Sequence, residues 1–383
     1  MPNLPASATH KPPLAIYIHW PFCKKKCPYC DFNSHVRAQV DHAAWQAALT
    51  RELAYWRDFT PQHEVVSIFF GGGTPSLMEP ATIAALINAV HAQWQVVPNL
   101  EITMEANPTS VEAAKFAEVA AAGVNRLSLG VQSLRAESLA FLGREHDVVE
   151  AKHAITLVAK YFDRYSFDLI YALPQQSLAA WEAELREALP LSRGHLSVYQ
   201  LTIEPNTAFH YAYHVQRDFS LPSESLAADL YTRTQEILGE AGMPAYEISN
   251  HAAAGQASRH NLAYWRSEAY LGIGPGAHGR VDSAEGRLAT RTLKSPERWL
   301  EALHTAPHGL EESLLLTPQE RHEERILMGL RLLEEGVDAS GIAPARMAPL
   351  IAEGLLEPHE NHLRATAKGA LLLNSITAAL LAA

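Results

Sequence analysis

The sequence predicts an α/β protein with an open, partial (β/α)6 barrel of the TIM type, followed by a small winged-helix-like α+β domain. Three observations predict this fold class. Short apolar segments alternate with helical patterns along roughly the first two hundred residues, which is typical of a parallel sheet with helical crossovers. The strand segments are apolar almost throughout, as expected of strands buried on both faces. After residue 310, helices are followed by two short strand patterns.

Six strands are predicted from runs of β-branched and aromatic residues. They are Leu14–Trp20, Val65–Phe70, Leu100–Ala106, Arg126–Val131, Tyr165–Leu173 and His195–Leu201. The helices predicted between them are Ala43–Arg57, Ala81–Trp94, Val111–Ala122, Val148–Tyr161 and Trp181–Leu189. A closed barrel has eight such units, so this one should be open. Its functional residues should lie where strands end and loops begin.

The chain is predicted to divide into four segments. They are an N-terminal arm (1–13), the barrel (14–250), a connecting segment (251–309) and the C-terminal domain (310–383). In the last, Thr317 and Glu320 have capping-box spacing, which predicts a helix running toward Gly336. A short helix at 348–353, strands at 355–357 and 362–364, and a last helix from about Ala367 should follow.

The composition limits the classes of partner. A formal net charge of −11 argues against nucleic acid, because phosphates favour clustered Lys and Arg. From residue 310 onward there are eleven Asp and Glu against six Lys and Arg, so we expect a cap or partner surface there rather than a DNA-binding module. No export signal is evident, which predicts a cytoplasmic protein. No apolar run is long enough to span a membrane. The apolar stretch Gly369–Ala383 should dock on the core, with peripheral membrane contact as the alternative.

All three cysteines lie between Cys23 and Cys30. Their odd number and the C-x3-C-x2-C spacing fit a metal-ligand set better than disulfides. Thiolates favour zinc, copper(I) or an iron–sulfur cluster. Zinc would need a fourth ligand, such as His19 or His35. An iron–sulfur cubane held by three cysteines would leave one iron open to a substrate.

Glycine and polar residues follow several predicted strands. Gly71–Pro75 follows the second strand, and its three glycines allow either close approach of a ligand or simply a tight turn. Glu105 ends the third strand, Gln132 ends the fourth, and Asp168 lies in the fifth. A carboxylate in such a place is either a surface group or a binding group, and ribose hydroxyls are a recurrent partner.

The cysteine segment resembles the cluster loop of radical S-adenosylmethionine (radical SAM) proteins, in the branch of HemN and HemW. The similarity rests on C-x3-C-x-[aromatic]-C preceded by YIHWPF at 17–22. It implies a [4Fe-4S] cluster on Cys23, Cys27 and Cys30, with SAM bound to the open iron. In that family, reduction cleaves SAM to a 5′-deoxyadenosyl radical.

The resemblance also implies which residues contact SAM. Gly72, Gly73, Thr74 and Glu105 match positions around the methionine moiety, Arg144 a position near its carboxylate, and Gln132 and Asp168 positions that bind ribose and adenine. Tyr17 and Tyr29 match positions that flank the cofactor. Bidentate guanidinium geometry suits the carboxylate.

Lys24, Lys25 and Lys26 interrupt the cysteine segment of this acidic chain. They are either a solvated run or a positive patch. A positive patch would raise the potential of the cluster or dock an acidic reductant protein.

A second motif, HNLAYW at 260–265, resembles the HNxxYW motif of HemW-type members, which bind haem. The resemblance implies haem near His260, since a neutral imidazole with aromatic walls suits an axial iron ligand. Tyr246, Glu247, His251 and the segment Gly272–Gly279 are competing candidates or lining of the SAM pocket.

Three functions follow from the resemblance. The first is a haem chaperone that carries a SAM-ligated cluster and delivers haem to apo-haemoproteins. The second is an oxygen-independent coproporphyrinogen III dehydrogenase, and the third is a radical SAM enzyme with another substrate. Phe32 stands where the resembling dehydrogenases carry a further cysteine, which favours the chaperone. Whether SAM is cleaved stays open, as does the formation of a homodimer.

Overall fold

The computed structural model of the chain describes residues 11–382, so most of the arm predicted at 1–13 lies outside the described residues. The strands are β1 (Pro13–Trp20), β2 (Phe22–Cys23), β3 (His35–Val36), β4 (Glu64–Gly72), β5 (Gln95–Ala106), β6 (Arg126–Gln132), β7 (Arg164–Tyr171), β8 (His195–Gln200), β9 (Ala245–Glu247), β10 (Asn250–Ala252), β11 (Ala269–Ile273), β12 (His278–Ser283), β13 (Gly286–Thr292), β14 (Leu310–Leu315), β15 (Val337–Asp338), β16 (Leu356–His359) and β17 (His362–Ala365).

The helices alternate with these strands through the first half of the chain. They are α1 (His42–Arg57), α2 (Pro80–Gln93), α3 (Ser110–Ala113), α4 (Phe116–Ala121), α5 (Ala136–Phe141), α6 (Val148–Tyr161), α7 (Leu178–Ala188), α8 (Ala208–Tyr211), α9 (Glu224–Glu240), α10 (Arg259–Trp265), α11 (Pro296–Thr305), α12 (Pro318–Gly329), α13 (Pro344–Ala352), α14 (Ala367–Ala370) and α15 (Leu373–Leu381).

The six predicted strands form the parallel centre of one large open sheet. Strands β1, β4, β5, β6, β7 and β8 lie side by side in that order, and every neighbouring pair is parallel. Strand β11 extends this centre in parallel beside β1. Antiparallel strands β12, β13 and β14 continue from β11, while β10 and β9 continue from β8. The α/β class and the partial barrel are confirmed, and the connecting segment supplies strands to both edges.

Apolar side chains from the strands and helices form the main core. The buried face of α1 carries Trp45, Leu49, Leu53 and Trp56. Trp45 stacks on Trp299 with ring centroids 5.1 Å apart, which joins α1 to α11. The single helix predicted at 111–122 is instead divided into α3 and α4.

A smaller core defines the C-terminal domain, in which α12–α15 surround a three-stranded sheet in the order β15, β17, β16. Its buried centre includes Ile326, Leu356 and Ile376. The Thr317–Glu320 capping box is present, but α12 ends at Gly329. A Cβ on Gly329 would lie 2.8 Å from the Val337 side chain, so this glycine lets β15 pack closely against the end of the helix.

Strand β14 belongs to the large sheet, where Leu288–Arg291 of β13 pair with it in antiparallel register. No strand is predicted from the sequence at these residues, which fall within the predicted C-terminal domain (310–383). The four-segment division otherwise remains a prediction. Within residues 11–382, no helix combines the length and the apolar character needed to cross a membrane.

Candidate functional site

A cavity of about 1250 Å³ opens at the carboxyl ends of the central strands. This is the end at which sheets of parallel strands carry their functional groups. Most of the predicted site residues line the cavity. They are Cys23, Cys27, Tyr29, Cys30, Gly72, Gly73, Thr74, Glu105, Gln132, Arg144 and Asp168. The far wall comes from α9 and from the small domain, including Arg331 and the stretch 370–375.

The loop that carries the cysteines is fastened to the barrel by Asn33. The side-chain amide of Asn33 donates to the backbone carbonyl oxygens of Pro275 and Lys294, each at 2.9 Å. A Cβ on Gly276 would lie 2.6 Å from that amide. The glycine-rich segment Gly272–Gly279 therefore supports the cluster loop from behind, and it does not line the cavity.

The three thiols face the same end of the cavity and are close enough to affect one another. Burial raises the pKa of Cys23 and of Cys30, and repulsion from neighbouring thiolates raises each pKa further. Two of the thiols accept hydrogen bonds from side chains. The Thr74 hydroxyl donates to Cys23 Sγ at 3.5 Å, and the Arg144 guanidinium donates to Cys27 Sγ at 3.2 Å. Such donors stabilise thiolates, which are the forms that bind metal.

The donor set fits a cluster better than a single ion. Among residues 11–382, no three His, Cys, Asp or Glu side chains surround one point closely enough to hold a single metal ion. A cubane does not need that convergence, because each cysteine ligates a separate iron. The proposed fourth zinc ligands are also engaged: His19 bonds Tyr17 and Asn33 through its two ring nitrogens, and His35 bonds the Asn33 side chain.

The glycine triplet after β4 is required by packing. A Cβ would lie 2.6 Å from the Tyr17 ring at Gly71, 2.5 Å from the His19 ring at Gly72 and 2.7 Å from the Phe22 carbonyl at Gly73. Gly72 also has a φ of +115°. The strands β1 and β4 can therefore approach closely only with glycine at these positions.

The polar group that lies beside this loop and faces the cavity is the carboxylate of Glu105 in β5. The Gly72 amide donates to Glu105 Oε2 at 3.1 Å, and the Gly73 and Thr74 amides donate to carbonyl oxygens of Trp20 and Phe22. Because the amides of the loop already have partners, the group available to a ligand here is the Glu105 acceptor. This arrangement suits an amino group better than an anion.

Two carboxylates, Glu105 and Asp168, lie half-buried in the cavity. Burial, with a contribution from the nearby charge of Asp168, raises the pKa of Glu105 to about 8. Burial likewise raises the pKa of Asp168. Hydrogen bonds from Ser197 and Ser128 offset part of this effect, and the pKa is about 6. A cationic ligand would remove much of the cost of ionising both groups. SAM carries a sulfonium and an amino group and has this charge.

Arg144 is fixed by the ends of two strands. Its guanidinium donates to Asn107 Oδ1 at 2.7 Å and to the Gly130 carbonyl at 2.8 Å, and it lies 3.4 Å from the Tyr29 hydroxyl. Gln132, at the end of β6, adopts a left-handed φ of 69°, and strained residues of this kind concentrate at binding sites. Asn107 is not among the site residues predicted from the sequence.

Tyr17 and His260 do not line the cavity. Tyr17 lies beneath it, with its ring 6.3 Å from that of His260. His260 is 2% exposed. Its Nδ1 pairs with the Ser67 hydroxyl and its Nε2 with the Tyr264 hydroxyl, both at 2.9 Å. Both ring nitrogens are bonded inside the barrel, and the assignment of His260 as a haem ligand stays a prediction.

The other candidates around this motif are buried as well. Tyr246 bonds His195 and Asn261 through its hydroxyl. His251 is 1% exposed and both its ring nitrogens lack a partner. Glu247 is buried and faces Arg331 at 3.6 Å. None of these three lines the described cavity.

Comparison with known proteins places these features in a family. Residues 17–188 match the model of the radical SAM superfamily, and residues 316–372 match that of the HemN C-terminal domain. The heme chaperone HemW of Escherichia coli is 39% identical over 95% of this chain and 97% of its own length. HemW of Haemophilus influenzae is 36% identical over the same shares of the two chains.

Two further proteins are similar, one in sequence and one in fold. The mitochondrial radical S-adenosyl methionine domain-containing protein 1 of Danio rerio is 36% identical over 85% of this chain and 74% of its own length. The solved structure of coproporphyrinogen III oxidase (HemN) from Escherichia coli covers 97% of this chain and 91% of that chain, with a TM-score of 0.79 and 24% identity.

The partial barrel and the three-cysteine loop define a radical SAM protein. Within that class, the identity to HemW over nearly the whole of both chains shows the particular family. The chain belongs to the HemW family.

Proposed function

We propose that this protein is a haem chaperone, which binds haem and delivers it to apo-haemoproteins while carrying a SAM-ligated [4Fe-4S] cluster. The observation that carries the proposal is the 39% identity to a heme chaperone over 95% of the chain. The lining of the cavity supports it, because the residues expected to hold a cluster and SAM lie together there.

The radical SAM family implies the cluster and SAM, and the residues present fit both. Cys23, Cys27 and Cys30 would hold the cluster. When bound, the cluster offers one iron on which SAM can be chelated and reduced. The chain itself contributes a carboxylate, Glu105, for the amino group of SAM and a guanidinium, Arg144, held between Asn107 and Gly130 for its carboxylate.

Phe32 favours the chaperone over the dehydrogenase. It is 57% exposed at the mouth of the cavity, at the position where the dehydrogenases resembled by this chain have a further cysteine. An exposed phenyl ring supplies neither a thiol ligand nor a proton donor. The likeness to the solved HemN structure concerns the fold.

Haem transfer provides the direct test. Cluster-reconstituted protein is loaded with haem under anaerobic conditions and mixed with increasing amounts of apo-myoglobin. Direct delivery predicts a transfer rate that rises with acceptor concentration, whereas simple release predicts a rate equal to haem dissociation. Failure to bind haem, or a rate independent of the acceptor, would refute the proposal.

The dehydrogenase is tested in the same preparation with coproporphyrinogen III, SAM and a reductant. Product mass and 5′-deoxyadenosine are measured together. Loss of two carboxyl groups from the porphyrinogen would overturn the chaperone proposal in favour of the enzyme. Deoxyadenosine without porphyrinogen conversion would show SAM cleavage directed elsewhere.

A further inference from the structure

The described cavity is larger than one cofactor requires. Its volume of about 1250 Å³ exceeds the roughly 300–1,000 Å³ of ordinary small-molecule pockets. The predicted cluster and SAM residues occupy the wall formed by the strand ends. The opposite wall, formed by α9 and the small domain, has no function in the site described above.

One face of α9 contributes to that opposite wall. Glu224, Ala227, Ala228 and Tyr231 all line the cavity, and their spacing places them on one face of the helix. The two alanines leave room for a planar ligand to lie against the helix. Leu371, Leu372 and Leu373 of the small domain line the cavity as well.

Two cations from the small domain lie on the same side. Arg331 lines the cavity, and the Lys368 side chain lies at the exposed rim, where its amine donates to the Glu353 carbonyl at 3.0 Å. Among the described residues, Lys368 makes no ion pair with a carboxylate. Arg331 also lies within ion-pair distance of the buried Glu247 carboxylate, at 3.6 Å, but makes no hydrogen bond to it.

Polar atoms on this wall lack partners. The Tyr231 hydroxyl and Arg331 Nε are buried and make no hydrogen bond within the described chain. The Glu247 Oε2 that faces Arg331 is also without a hydrogen bond, but Glu247 does not line the cavity. Buried polar groups are normally bonded, so two such groups on one cavity wall indicate that a ligand or water completes them. Both groups donate hydrogen bonds, and a carboxylate would accept from both.

Trp265 holds Arg331 in this position. The guanidinium lies over the Trp265 ring, 4.6 Å from its centroid, in a cation–π contact. Trp265 is the last residue of the HNLAYW motif. The motif therefore reaches the cavity through Arg331 even though His260 is buried away from it.

We propose that the small-domain end of the cavity binds a flat macrocycle that carries carboxylate substituents. Arg331 and Lys368 bind the carboxylates, Tyr231 donates a further hydrogen bond, and Trp265 is a positioning residue. This inference rests on the proposed chaperone function, since haem is such a ligand. It places haem and SAM at opposite walls of one cavity.

The test compares haem with haem dimethyl ester, in which both carboxylates are neutralised. Both are titrated into the full, cluster-reconstituted chain, and SAM binding is measured in the same samples. Each charge-assisted contact should favour haem over the ester by about 10- to 100-fold. Arg331→Gln and Lys368→Gln should each remove that preference in part and leave the affinities for the ester and for SAM unchanged.

Matched variants separate the site from general effects of charge and folding. Arg325→Gln removes a small-domain cation that instead pairs with Asp338 at 2.7 Å, and it should change nothing. Trp265→Phe, which keeps an aromatic face, should retain more of the preference than Trp265→Leu. If Arg331→Gln fails to fold, Lys368→Gln carries the test, because its side chain is exposed.

The outcomes distinguish this inference from the proposed function. Equal binding of haem and its ester by the wild type, or an unchanged preference in both Gln variants, would overturn the carboxylate site and leave the chaperone proposal standing. A wild type that binds neither ligand would overturn both.

Discussion

The pKa of Glu105 predicts that SAM binds more tightly as the pH rises. Burial raises this pKa to about 8 in the ligand-free protein, whereas the amino group of SAM needs an ionised acceptor. The ionised fraction is one half at the pKa and about one-hundredth two pH units below it. The affinity for SAM should therefore fall about 50-fold between pH 8 and pH 6 on account of this group.

The same shift has a consequence for stability. A carboxyl whose pKa is raised on folding contributes its stabilisation in full below its unfolded value of 4.5. Its contribution is lost as the pH rises from there toward 8, at a rate of about 1.4 kcal/mol per pH unit at most. SAM should restore it by pairing with the ionised form, so thermal stabilisation by SAM should increase with pH.

Calorimetric titration with SAM between pH 6 and 8.5 measures the effect. The control ligand is 5′-methylthioadenosine, which lacks the amino acid end and should not depend on Glu105. Asp168 has a pKa of about 6 and affects both ligands, so the difference between them isolates Glu105. Glu105→Gln should flatten the SAM curve to that of the control. An unchanged pH slope in this variant would refute the assignment.

Three further predictions concern the cluster and the frame of the barrel. Cys27→Ser should abolish the visible absorption of the reconstituted cluster, and a retained [4Fe-4S] spectrum would exclude this ligand. Glu101→Gln removes one partner of a buried ion pair with Arg164 at 2.8 Å, so the free energy of unfolding should fall by about 3–5 kcal/mol in urea titration. A loss below about 1 kcal/mol would show that the pair is not structural. Gly72→Ala places a Cβ 2.5 Å from the His19 ring at a φ of +115°, which should cost about 1–3 kcal/mol in the same assay and weaken SAM binding. If Gly72→Ala kept the stability and SAM affinity of the wild type, β1 and β4 would have to be able to move apart.

The central strands were predictable because each is a near-continuous apolar run. Such a run is buried on both faces wherever it stands in the sheet, so no knowledge of its partner is needed. Strand β11 could not be placed in the same way. Its position beside β1 depends on pairs such as Ile16 with Leu271, which are separated by most of the chain. The short antiparallel strands at both edges depend on equally distant partners.

The cluster end of the site was predictable from local sequence, and the far wall was not. The cysteines and Glu105 stand in motifs that follow strands, so the fold brings them together at one edge. Arg331 and Lys368 have no such motif, and only the docking of the small domain carries them to the cavity. The motif predicts a haem ligand at His260, whose ring nitrogens are bonded to Ser67 and Tyr264 in this structure, and that assignment stays a prediction.

The shared cavity has a thermodynamic consequence. If haem and SAM occupy opposite walls of one chamber, any factor by which SAM changes the affinity for haem must equal the factor by which haem changes the affinity for SAM. The charges favour attraction, because a cationic cofactor and an anionic macrocycle would face each other across one cavity. Consumption or loss of SAM would then lower the affinity for haem, so the presence of SAM would control when haem dissociates.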